Sequence, residues 1–539
     1  MKSNLLIILA TLLLTACSDS FLDRVPEGSY VDATFYVSDE ALEAATAPLY
    51  NRAWFDYHQR SIVPIGSARA NDIYSPWNYP QFVTFQVTAL DENLSGAWSG
   101  FYSVVTMANS VIKAVETQTT SGVSEGAKVK AIAEARLMRA CAYFYMLRLW
   151  GPVIIIEDNH TAVNNPVLPL HREEDVFQFI INDLTYACSN LPEKNNKGRA
   201  TSWAAKGILA KVYLARSGWD NNGVRDEGDL ELARQYAGDV CENSGLNLME
   251  NYEDLFKYRN NNNDESLLAM QWVPLGEWFV CNTLLADLAF SSEVTGGVNV
   301  WSSYNGTIDM LQQYEVADTL RRNATFFTKG SYYSYICMSD GGYKYTGNAS
   351  PIKKGVVGGP NDGNDGNVQS MNSPLNTYML RLADVYLTYA EACLGNNATL
   401  SDGRGLYFYN RVRERAKINK KSSITLDDII RERRIEFCME YTNWYDMVTW
   451  YRYLPVKMLT YFNSQQRGYR ADAIIKDKDG NLHFGRYDGS TFLEGEEYYT
   501  APEFTINITA NNILLPYPES DVIQNPLLNE PPVPYTFNE

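Results

Sequence analysis

Leu209-Ala210-Lys211-Val212-Tyr213-Leu214 and Leu382-Ala383-Asp384-Val385-Tyr386-Leu387 share five of six residues, one copy in each half of the chain. Both hexapeptides sit in helix-period sequence, and each is followed by a loop and a second amphipathic segment. After the first copy this is Leu230 to Cys241, with Ala233, Tyr236 and Ala237 on one stripe; after the second it is Leu406 to Ala416, with Tyr409 and Val412. Small and aromatic residues at that spacing let two helices pack closely and antiparallel, so the chain reads as a mostly α protein built on repeated helix pairs.

Outward from the repeat, other segments keep the same period. Asp39 to Tyr57 carries Ala41, Ala44, Ala45 and Leu49, and Trp98 to Val115 carries Phe101, Val104, Val105, Ala108 and Ile112. Residues 131–150 leave almost no polar face and predict a buried helix that Gly151-Pro152 stops. Thr425 and Asp428 predict a capping box for a helix running through Ile429 to Phe437. Between the repeat copies, residues 246–375 turn rich in Asn, Gly and Tyr and lose their periodicity. The expected architecture is a tetratricopeptide-like helical-repeat scaffold with a long, loop-rich, irregular insertion carrying the binding face. It forms a single domain over 17–539, with an N-terminal part to about 245, the insertion over about 246–375, and a C-terminal helical repeat and loop-rich tail from about 376.

The N-terminus predicts export. Lys2 precedes an apolar run, Leu5 to Leu14, too short to span a bilayer, and Leu14-Thr15-Ala16-Cys17 resembles a bacterial lipobox. Residues 1–16 are read as a lipoprotein signal peptide, with Cys17 as the lipidated first residue of the mature chain and the acyl chains as a membrane anchor. A formal charge of −18 without a basic block excludes nucleic acid as a partner. The other seven cysteines are widely spaced without a C-x-x-C pair and read as packed thiols. Four histidines offer no zinc set, and the acidic loops 220–229 and 361–366 lack the ligand order of a calcium loop, so no metal or cofactor is expected.

Four motifs in order carry a family resemblance. They are Glu134-Ala135-Arg136-Leu137-Met138-Arg139-Ala140 leading to Leu149-Trp150-Gly151-Pro152; Arg381 to Leu387 with Tyr389-Ala390-Glu391-Ala392 and Asn410-Arg411-Val412-Arg413; Arg431 to Glu440 with Trp444 to Val448; and Leu515-Pro516-Tyr517-Pro518 with Asn525-Pro526-Leu527. Together they resemble the SusD/RagB type of outer-membrane nutrient-binding lipoprotein. The resemblance implies a non-enzymatic, lipid-anchored protein at the outer-membrane cell surface, which captures oligosaccharide or polysaccharide and delivers it to a SusC-like TonB-dependent transporter. The charged residues of these motifs alternate in sign on helices and read as structural ion pairs, not as catalytic groups.

Glycan recognition needs flat aromatic faces beside polar groups that bond hydroxyls. The proline-bounded run from Arg69 to Pro80 supplies Trp77, Tyr74 and Tyr79 with Asn78, Asp72 and Arg69, and the insertion supplies Trp278, Trp301 and Tyr304. Trp77, Trp278 and Trp301 are the expected stacking platform and Asn78, Asp72 and Arg69 the polar contacts. A flat three-indole platform matches a ribbon-like β-glucan better than coiled starch, and family members with such tryptophans bind β-glucans including xyloglucan. The rival readings are a secreted glycoside hydrolase, for which no nucleophile or metal motif stands out, and a helical-repeat scaffold lipoprotein without glycan binding, which requires Trp77 to be buried.

Overall fold

The structure, a computed structural model, describes residues 36–537 apart from 348, 471–472, 477–481, 489–490, 495–498 and 501–505. The signal segment 1–16 and Cys17 lie outside the described residues. The helical array runs α1 (Asp39–Thr46), α2 (Glu92–Gln118), α3 (Glu125–Trp150), α4 (Glu173–Asn190), α5 (Ser202–Gly218), α6 (Glu227–Asn243), α7 (Leu285–Leu288), α8 (Leu382–Leu394), α9 (Gly403–Arg415), α10 (Leu426–Glu436), α11 (Asn443–Tyr453) and α12 (Pro455–Ser464). Each of α2 to α5 packs on the next, and α8 then packs on both α5 and α6 across the insertion, with α9 beyond it. The two hexapeptide copies are therefore the facing helices α5 and α8. Gly207 makes that approach possible, since a β-carbon there would lie 2.7 Å from the Leu380 side chain and 3.0 Å from Val385.

Local chemistry sets the helix ends. Asp91, Ser124, Thr201 and Asp226 each accept a backbone N–H from the first turn of the helix they precede. Thr425 and Asp428 form the expected capping box, and Gly151 ends α3 at φ 76°. α3 is buried almost all round from Ala131 onward, as its sequence predicts. The expected long helix over 39–57 is shorter: Pro48 turns the chain after Thr46 into 3₁₀ turns, because proline supplies no N–H to continue the ladder. Trp98, Trp150, Trp203, Trp444 and Trp450 all lie in the core, and one connected hydrophobic core takes residues from Leu42 to Leu528.

Charges of the family-like motifs do build buried ion pairs. Arg433 bonds Asp384 and Asp446, both at 2.7 Å; Arg381 bonds Glu265 and Glu436 at 2.7 Å and also Glu440; and Arg321 joins Asp318, Glu432 and Glu436. Arg411 and Arg431 are exceptions, the first half-exposed beside Glu414 and the second donating to the Gln313 carbonyl. The seven cysteines among the described residues are free thiols, three buried and four half-buried.

Within the insertion, β2 (Ser266–Met270) pairs antiparallel with β4 (Thr377–Arg381), joining its first third to the start of α8, and β1 (Ile73–Tyr74) pairs with β3 (Asn305–Gly306). Trp272, just past β2, packs its indole 4.2 Å from His58 and donates to Thr377 Oγ1. The tail departs from the loop-rich expectation: β5 (Ala473–Lys476), β6 (Leu482–Asp488) and β7 (Thr491–Glu494) form an antiparallel sheet in the order β7-β6-β5.

Candidate functional site

Trp77, Trp278 and Trp301 are exposed at 82%, 47% and 50%, values that no packing requirement explains for three large rings. Each is projected from a loop fixed beneath it. For Trp77, the Ser75 hydroxyl accepts the backbone N–H groups of Trp77 and Asn78 at 3.1 and 3.2 Å and bonds the Ser303 hydroxyl at 2.5 Å. Tyr79 then takes a left-handed backbone, φ 56°, immediately before Pro80. A bulky residue in that region costs on the order of 1–2 kcal/mol, and such strain collects at functional loops.

Trp301 is strapped twice to α7. Its backbone N–H donates to the Ala286 carbonyl at 3.0 Å and its indole N–H donates to Asp287 Oδ1 at 2.6 Å. Trp278 stands on a tight loop closed by the Val273 N–H to the Val280 carbonyl, with its ring 5.2 Å from Phe55, edge to face. Phe279 beside it is also at positive φ, 83°, and packs 5.4 Å from Phe55. A chain of contacts links all three indoles: the Trp278 loop runs through Asn282 into α7, Asp287 on α7 holds Trp301, and Ser303 two residues on holds the Trp77 loop.

The remaining expected contacts divide. Asn78 and Tyr79 are half-buried on the face, and Ser303 donates toward Asn78 Oδ1 at 3.5 Å. Arg69, Asp72, Tyr74 and Tyr304 are corrected to supporting residues, because each is 2% exposed or less. The Arg69 guanidinium lies 4.1 Å from the Phe85 ring and 4.9 Å from Trp444, and donates to the carbonyls of Asn512 and Ile513. Burial, reinforced by the charge of Arg467, pushes it down to about 9. Asp72 accepts from Asn443 Nδ2 at 3.0 and 3.1 Å and from the Met439 backbone, and burial raises it to about 6 against the pull of Arg434. Tyr74 is the β1 partner of Asn305, and Tyr304 lies beneath the Trp77 loop with burial driving its phenol upward.

Asp287 and Phe279 belong to the face but escape a sequence reading. Asp287 lies in Leu284-Leu285-Ala286-Asp287-Leu288-Ala289, which reads as buried helix; its signal is that it is the lone charge in an apolar run. Among the described residues no His, Cys, Asp and Glu cluster could hold a metal ion. No described helix is long and apolar enough to cross a membrane.

Comparison with known proteins agrees with this architecture. Residues 289–533 match the model of the SusD family, and residues 20–214 match a second family model described as starch-binding associating with outer membrane. A SusD-like protein of Bacteroides ovatus is 85% identical over 542 residues, covering 100% of this chain and 99% of the relative. Two crystal structures are likewise 85% identical. One superposes with a TM-score of 0.92 over 94% of this chain and 100% of the other; the second, determined with xylogluco-oligosaccharide, gives 0.89 over 93% and 100%. The helical-repeat architecture, the four ordered motifs and these full-length matches place the chain in the SusD family.

Proposed function

We propose that this protein captures β-glucan oligosaccharides, xyloglucan foremost, on the face built from Trp77, Trp278 and Trp301, and passes them uncleaved to a SusC-like TonB-dependent transporter. The single observation that carries this reading is the exposure of three indoles on rigidly tethered loops, in a chain 85% identical to a protein crystallised with xylogluco-oligosaccharide. An extended β-linked backbone presents the C–H faces of successive rings to flat aromatic surfaces. Asn78 and Tyr79 are placed to bond hydroxyls at the edge. Lipidation at Cys17 would hold the protein at the outer-membrane surface.

Retardation in native gels tests the reading. Protein beginning after Cys17 is run through xyloglucan, mixed-linkage β-glucan, starch and levan, and the xyloglucan is assayed for released reducing ends. Retardation by xyloglucan without release is expected. Retardation by starch or levan alone rejects the ligand, release of reducing ends rejects the binding-only role, and no retardation in any gel favours a scaffold.

A further inference from the structure

Asp287 is a carboxylate without a cation at the edge of the aromatic face. It projects from α7, whose Leu285, Ala286 and Leu288 are buried, and is itself half-buried. Oδ1 accepts the Trp301 indole. Among the described residues Oδ2 meets no protein donor, and it is open to solvent. Among the described residues the groups that feel its charge are phenols: Tyr79 from the loop before Pro80, Tyr304 from beside β3 and Tyr441 from the loop after α10. Burial, and then the Trp301 bond, are what act on its protonation, with no lysine or arginine among the causes. A carboxylate held beside an aromatic face without a cation is a candidate ligand contact.

We propose that Asp287 is a ligand-contacting carboxylate of the glycan face, with Oδ1 fixing the plane of Trp301 and Oδ2 accepting hydrogen bonds from a vicinal diol of the sugar lying across that ring. The proposal rests on the glycan-capture reading above and extends it to a residue that sets which hydroxyls are recognised. Hydrogen bonds to an ionised acceptor are shorter and stronger than neutral ones, so the charge state matters. Burial raises Asp287 to about 6. Above that pH it is ionised and accepts with both oxygens; below it a proton occupies one acceptor position and the Trp301 bond loses its charge assistance. Tyr79, Tyr304 and Tyr441 are all raised above their ordinary values and stay neutral across this window. Affinity therefore falls as pH drops from 7 to 5.

The test is calorimetric titration with a xyloglucan-derived oligosaccharide at pH 7 and pH 5, for wild type, Asp287→Asn, Trp301→Phe and the double variant, with thermal unfolding alongside. Loss of one good charge-assisted contact corresponds to about tenfold in affinity. Asp287→Asn is expected to bind about tenfold more weakly at pH 7, to show a flat pH profile, to unfold no earlier than wild type, and to lose affinity in the Trp301→Phe background as well. Wild-type binding by Asp287→Asn overturns this proposal and leaves glycan capture standing. A loss confined to the background that retains the indole overturns the diol contact and makes Asp287 a positioning residue only. Failure of the wild type to bind at either pH overturns both readings.

Discussion

Lys211 Nζ donates to Asp384 Oδ2 at 2.7 Å, and these two residues are the one position at which the repeated hexapeptides differ. The five shared residues give α5 and α8 the same packing surface; the sixth gives them opposite charges where they meet. Asp384 also accepts from Arg433 at 2.7 Å, which in turn bonds Asp446, so the junction of the two halves is a buried chain of alternating charge. Burial raises the Asp384 carboxyl, but Arg433 and Lys211 together outweigh it and hold the group well below the usual carboxylate range.

Replacing Asp384 by Ala leaves the buried Arg433 and Lys211 to share Asp446 and is expected to cost about 3 kcal/mol in urea unfolding. Because the folded value lies below the unfolded one, the stabilisation is present above about pH 4 and is lost as pH falls toward the folded value. The wild type should accordingly lose stability below pH 4 more steeply than Asp384→Ala does.

Gly66 approaches the backbone of Tyr441 so closely that a β-carbon would collide with the Tyr441 carbonyl, and Tyr441 itself has φ 66°. Neither backbone can give way cheaply. Gly66→Ala is expected to lower stability by about 1–3 kcal/mol, read from the midpoint of denaturant unfolding at unchanged slope.

Exposure separates the tryptophans. Trp77→Ala removes a ring that is 82% exposed and should change stability by less than about 0.5 kcal/mol, while Trp444→Ala empties a fully buried site and should cost about 3–5 kcal/mol. Thermal and urea unfolding of the two variants side by side checks the contrast.

Arg69 stacks on Phe85 and Trp444 and ties the 512–513 carbonyls to the start of the Trp77 loop. Arg69→Met should lower stability by about 1–3 kcal/mol, through carbonyls left without a donor, yet leave the oligosaccharide affinity of the folded protein within a factor of two. A large affinity loss at full stability would restore it as a ligand contact.

The scaffold was legible because helix period, capping residues and the hexapeptide repeat are local signals, the first plain in α3, the second in α10 and the third in α5 and α8. The exposed indoles were legible for a related reason: Trp77, Trp278 and Trp301 stand in sequence with no period that would bury them. Arg69 and Asp72 misled because polarity in a loop does not disclose partners far along the chain, here the carbonyls at 512–513 and Asn443. Asp287 was hidden by the reverse effect, an apolar neighbourhood that reads as core until the fold turns its carboxylate toward Trp301. The tail strands were missed because their Gly and Asp turn signals outweighed short alternating runs.

The most direct measurement is isothermal titration of a xyloglucan-derived oligosaccharide into protein beginning after Cys17, with Trp77→Ala as its pair. Saturable binding by the wild type, weakened at least tenfold in an equally stable Trp77→Ala protein, is the expected result and would establish the three-indole face as the capture site. Equal binding by both proteins would place the ligand elsewhere on the molecule and contradict the account.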